Sequence, residues 1–168
     1  MQGNELLGKP DTETSLYIGA ATTAIVCLLP YVNVFILPAY IIGALVAIWH
    51  AVSIRGQRLQ FKDGAKLGFL STFFGVLVAL AIGDLIWLFL DYQLWQRQNA
   101  RLLLAILASF LSPVALDVAR DRMAEQAAKP FQWYVFLWQL VGSAIFCGIL
   151  GTFFGLLGVK VFRPREFR

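Results

Sequence analysis

The sequence predicts an all-α protein, a multi-pass bundle of transmembrane helices, on three observations. The stretch Thr14–Ile54 carries no Asp, Glu, Lys or Arg. The composition is 59% hydrophobic and only 14% charged, with mean hydropathy +0.70, outside the range of soluble domains. Small residues recur at four-residue intervals in three apolar segments, the pattern by which helices approach closely in lipid. At 168 residues the chain has room for one domain, a helical region over residues 15–162 between short tails at 1–14 and 163–168.

The N-terminal tail sets Lys9 against Glu5, Asp11 and Glu13, whereas a cleavable signal wants a positive leader. The first apolar segment is therefore expected to be kept as a span. Thr14–Ile54 is about 40 residues, roughly twice the ~20 needed to cross a hydrocarbon core of ~30 Å. A single helix of that length is opposed by Pro30 and Pro38. The economical reading is a hairpin of two spans, about 15–30 and 34–54, turning near Pro30-Tyr31-Val32-Asn33. Asn33 suits the cap of the second helix, and Pro38 falls early in it, where a missing N–H matters least.

Arg55–Lys66 follows as a short loop with four basic residues. Asp63 is placed to cap the next helix, predicted over 65–90, and Leu59 and Phe61 are expected to dip into the interface. Asp91–Arg101 is a polar stretch with Tyr92 and Trp95, Leu102–Leu116 an uncharged run, and Asp117–Lys129 a charged segment. Ser112-Pro113 reads as N-cap and N1 of a helix. Val114, Val118 and Met123 opposite Asp117, Asp121 and Glu125 make that helix amphipathic, so residues 92–129 form an interfacial segment. The last apolar block supplies a span over about 131–159. The Leu102–Leu116 run is short for a span but leaves a fifth crossing open.

Charge favours four spans. Lys9, Arg55, Arg58, Lys62, Lys66, Lys160, Arg163, Arg165 and Arg168 then share one side, nine basic residues against five. Five spans would give eight against six. The positive-inside rule puts both termini in the cytoplasm, and the expected location is a cytoplasmic membrane crossed several times. Tyr31, Tyr40, Trp87, Tyr92, Trp95, Trp133 and Tyr134 fall near the opposite boundary, where amphipathic rings prefer to sit.

The small-residue stripes are Ala39, Gly43, Ala47 and Ala51, then Ser71, Gly75, Ala79 and Gly83, then Ser143, Cys147, Gly151 and Gly155. Of these, Gly43, Ala47, Gly75, Ala79, Gly151 and Gly155 are the expected packing positions, within one monomer or between copies. Leu67–Leu77 also echoes Cys147–Leu157, with seven of eleven positions identical. An inverted repeat is one interpretation and a shared packing solution the other.

Asp84 is the one carboxylate well inside a span, and Gln139 lies at similar depth; an intramembrane ionisable group is a functional candidate. The pair reads either as a proton or cation site or as a hydrogen bond that fixes packing. His50, beside Trp49, reads as an interfacial anchor, and Cys27 and Cys147 as small apolar packing residues. Nucleophile–base pairs, phosphate loops and metal-ligand spacings are missing, so neither enzyme nor cofactor is expected. The net charge of +4 resides in short flanking loops, which points to the lipid bilayer and not to nucleic acid.

Pro30-x-x-Asn33, Gly43-Ala44 with Ala47, Asp63-Gly64-Ala65 leading into Gly68, and Gly155-x-x-Gly158-x-x-x-Phe162 resemble small bacterial four-helix membrane proteins classed as domains of unknown function. The likeness spans about Ser15 to Phe162, and Leu102–Lys129 fits it less well. It implies architecture and no mechanism. The expected role is a non-enzymatic structural or interaction protein, a homo-oligomer or an accessory subunit of a larger membrane complex. The alternative is a small transporter or proton- or ion-conducting protein using Asp84.

Overall fold

The computed structural model describes residues 12–29 and 37–162. The expected Pro30–Asn33 turn, residues 1–11 of the N-terminal tail and the C-terminal tail lie outside the described residues, and α1 takes in the last two residues of the expected N-terminal tail. Six helices are present among those described: α1 (Glu13–Leu28), α2 (Leu37–Ile54), α3 (Phe61–Leu90), α4 (Leu94–Leu107), α5 (Pro113–Ala127) and α6 (Trp133–Phe162). The last turn of α2, His50–Ile54, and the middle of α6, Cys147–Gly151, are π-helical. Helices α2, α3 and α6 are each long and apolar enough to cross a bilayer, and α1 is a shorter apolar helix.

The ends of the helices follow local chemistry. Leu29, which precedes Pro30, is extended (φ −65°, ψ 136°), because the proline ring excludes the helical conformation before it, and α1 stops at Leu28. Pro38 is the second residue of α2, where its missing N–H breaks no helical bond. Helix α3 begins at Phe61, four residues before the predicted start. Asp63 therefore sits inside its first turn and not at the cap, and its Oδ2 accepts from the Gln60 amide at 3.3 Å. At the other end Asp91 adopts a left-handed conformation (φ 48°) that terminates the helix.

Four helices form an antiparallel bundle. Gly19 of α1 faces Gly43 and Ala47 of α2, while Cys27 shares a cluster with Ala39 and Tyr40, so α1 and α2 run in opposite directions. Gly19 also faces Ser71, and Thr23 faces Gly75, which makes α3 parallel to α1. Gly64 lies against Gly155 and Val159, and Gly68 against Gly151, so α6 runs back along α3. The start of α1, the end of α2, the start of α3 and the end of α6 thus share one end, the basic end. The other is the hairpin end.

Glycines close the basic end. A Cβ on Gly19 would sit 2.5 Å from the Ala47 Cβ and 2.9 Å from the Gly43 carbonyl oxygen. One on Gly68 would collide with the Gly151 carbonyl and stand 2.7 Å from the Gly155 Cα. In lipid, where no hydrophobic effect drives helices together, such backbone contact maximises dispersion. Leu59, expected at the interface, is instead buried with Ile48, Leu67 and Val159, while Phe61 remains exposed. His50 Nδ1 and Ser15 Oγ lie 2.9 Å apart and tie α1 to the end of α2.

At the hairpin end the sequence reading needs one correction and finds one expectation met. Asp91–Arg101 supplies a helix from Leu94, because Leu, Gln, Arg and Ala are strong helix formers whatever their polarity. The Leu102–Leu116 run is split: α4 stops at Leu107, and Ser112 caps α5, its Oγ accepting from the Ala115 amide at 3.4 Å. Neither piece, of 14 and 15 residues, is long enough to cross a bilayer. The two helices form a hairpin in which α5 packs on α4 alone, and α4 makes its further helix contact with α3. Arg97, Arg101 and Arg120 border the cleft between them, floored by Leu104, Met123 and Ala127.

The predicted aromatic belt also divides. Trp133 and Tyr134 are exposed at this end, but Tyr40 is 1% and Trp87 5% exposed. Tyr40 is part of the core with Cys27, Ala79 and Cys147.

Candidate functional site

The most polar buried place among the described residues lies where the hairpin joins the bundle. Asp84 stands on α3 two turns before its end, beside Gly83, whose missing side chain opens space there. One turn further, Trp87 sends its indole N–H to the backbone carbonyl of Lys129 at 3.1 Å. The same carbonyl accepts from Gln93 Nε2 at 2.8 Å. Gln93 immediately precedes α4 and Lys129 immediately follows the last turn of α5, so one peptide oxygen holds both feet of the hairpin. Phe131 closes edge-on over Trp87, ring centroids 5.0 Å apart.

Asp84, Gln93 and Gln139 of α6 line one pocket of about 30 Å³, with Trp87, Leu94 and Gln96 at its walls. That volume suits one or two water-sized occupants. Asp84 is 8% and Gln93 4% exposed. Asp84 Oδ2, Gln93 Oε1 and Gln139 Oε1 are each buried without a hydrogen-bond donor among the described residues. The hydrogen bond from Gln139 to Asp84 anticipated from their depth is thus not made at Oδ2. A buried acceptor left unpaired costs about 1–3 kcal/mol, more for a charged one, so three in one pocket is an unusual concentration.

Depth along the helix pointed to Asp84 and Gln139. Gln93 lies further out along the chain by the same count, and only the start of α4 at Leu94 folds it inward. Trp87 was read as a boundary ring, although an indole N–H near a helix end also serves to fix a loop.

The packing positions lie elsewhere. Gly43 and Ala47 face α1, Gly75 faces Thr23 and the Ala20 carbonyl of α1, and Gly151 and Gly155 face α3. Ala79 is buried in the cluster with Tyr40 and Cys147. Thr23, unremarked in the sequence, stands between Gly43 and Gly75 with its hydroxyl bonded to the Gly19 carbonyl at 2.9 Å. The two echoed segments lie on each other, but equivalent residues have different neighbours. Gly68 meets α6 while its counterpart Gly148 meets nothing within 4 Å, and Gly75 meets α1 while Gly155 meets α3. The surroundings lack the symmetry of an inverted repeat.

His50 is bonded to α1 and forms no cluster with other ligand-type side chains; no group of three His, Cys, Asp or Glu able to hold a metal occurs among the described residues. No family model, curated protein or solved structure matches the chain.

Proposed function

We propose that the protein is a non-enzymatic membrane interaction protein, a bundle of four spans that presents the α4–α5 hairpin to a partner or to a second copy of itself. The observation that supports this reading is the hairpin's own polarity. Its root is polar, with Arg97, Arg101 and Lys129, while its tip carries Phe110 and Val114 at 81% and 75% exposed. Apolar side chains so placed, with no bundle residue to cover them, are what an association surface offers. The glycine contacts that weld α1, α2, α3 and α6 occupy the small-residue stripes within one chain, which leaves the hairpin as the free element.

The test is co-purification in mild detergent with the mass of the complex measured by light scattering. Replacing Phe110 and Val114 together by Asp should remove a stoichiometric neighbour or second copy. Identical mass and composition in wild type and variant would sink the reading. Topology has its own check: cysteines at Arg97 and Arg120 should label from the same face of the membrane, and one at Arg58 from the other.

A second reading, proton or ion conduction, has one observation in its favour, the unpartnered carboxylate oxygen of Asp84. It predicts flux into liposomes that is lost in Asp84→Asn. Wild-type flux no greater than that of empty vesicles would reject it.

A further inference from the structure

We infer that the pocket at the hairpin root binds one small monovalent cation, coordinated by Asp84 Oδ2 together with Gln93 Oε1 and Gln139 Oε1. This goes beyond the interaction reading and does not rest on it, and a cation held in place requires no conduction route.

The chemistry of the pocket selects the ligand. All three are buried acceptor oxygens without a donor among the described residues. The orientation of Gln93 is fixed, because its Nε2 donates to the Lys129 carbonyl at 2.8 Å and a flipped amide would set two oxygens against each other. The Trp87 indole N–H, at the wall of the pocket, is committed to that same carbonyl. Anions are therefore repelled, and only a cation or a hydrogen-bond donor is welcome.

Size and charge narrow the class. A pocket of about 30 Å³ has room for an ion of sodium or potassium size with a water. Calcium takes six to eight oxygens, commonly from several carboxylates, and magnesium demands near-octahedral geometry. Here a single carboxylate is joined by neutral amide oxygens, so one positive charge balances the site. Among the described residues no basic side chain lines it; Arg97, four residues from Gln93, stacks 4.7 Å over the Tyr92 ring. The three ligands come from α3, the foot of α4 and α6, so an ion there would fasten the hairpin to the bundle.

The experiment uses the full chain in mild detergent, with choline chloride exchanged for sodium or potassium chloride at constant ionic strength. Thermal unfolding should rise by about 5 °C and saturate with one of the two ions, as expected for a ligand that binds only the folded state. The ion should also slow amide exchange at residues 92–96 and 128–131 and leave residues 64–68 unchanged. Asp84→Asn should abolish the rise, and Gln139→Leu should weaken apparent affinity roughly tenfold, the equivalent of one lost ligand. The second variant keeps the test decisive should the first fail to fold. The proposal is overturned by equal unfolding temperatures in choline, sodium and potassium, or by an ion response unchanged in either folded variant. Stabilisation by acidification alone, without ion dependence, overturns it as well, since the pocket would then hold a proton on Asp84.

Discussion

The two ends of the bundle solve the same problem, holding helices together, by opposite means. At the basic end, backbone lies on backbone through Gly19, Gly43, Gly64, Gly68, Gly151 and Gly155, and little room is left between helices. At the hairpin end, polar side chains and one peptide carbonyl link α3, α4 and α6 around a small pocket. The first arrangement relies on dispersion, which is insensitive to ions and depends steeply on shape. The second relies on directed hydrogen bonds and leaves three buried acceptors without a donor among the described residues. Shape complementarity therefore holds the basic end together, and a few directed polar contacts hold the hairpin end.

The largest expected effect would break the comparison at its rigid side. Gly68→Leu puts a side chain into the Gly151 carbonyl and the Gly155 backbone. It should destabilise by about 3 kcal/mol or more, seen as a large drop in unfolding temperature in detergent. The echoed position is its control: Gly148→Leu, with open space around it, should be neutral or slightly stabilising through helix propensity.

A smaller effect is expected at the other end. Trp87→Phe keeps the ring on Phe131 but loses the bond to the Lys129 carbonyl. It should cost about 1 kcal/mol and speed amide exchange across α4 and α5 while leaving α1 and α2 as they are. Ser112→Ala removes the α5 cap, again about 1 kcal/mol, but confined to the hairpin. Exchange should quicken only over residues 113–116, with the unfolding temperature of the bundle unmoved. Asp117→Ala breaks the exposed pair with Arg120 (3.0 Å) and should change stability by less than about 0.5 kcal/mol in a melting curve.

The rigid end was largely legible in the sequence. A repeat of small residues every four positions has one physical meaning in a long apolar segment, close packing of helices. The hairpin end was read less well. Polarity in Asp91–Arg101 announced water or headgroups and was silent about whether the backbone was helical, so α4 and the inward turn of Gln93 went unseen. Tyr40 and Leu59 were assigned to the boundary because depth along a helix can be counted from sequence, whereas the direction a side chain faces depends on neighbours far away in the chain. Asp84 and Gln139 were found by depth alone; that they share a pocket with Gln93 required the fold.

The shared acceptor at residue 129 carries a consequence for tolerance to change. It is a main-chain atom, so exchanging the lysine for almost any amino acid preserves the clamp on Trp87 and Gln93. Removing or inserting one residue between Ala127 and Phe131 would move that oxygen out of reach of both donors at once. The link is indifferent to the spelling of its connecting segment and intolerant of any change in its length.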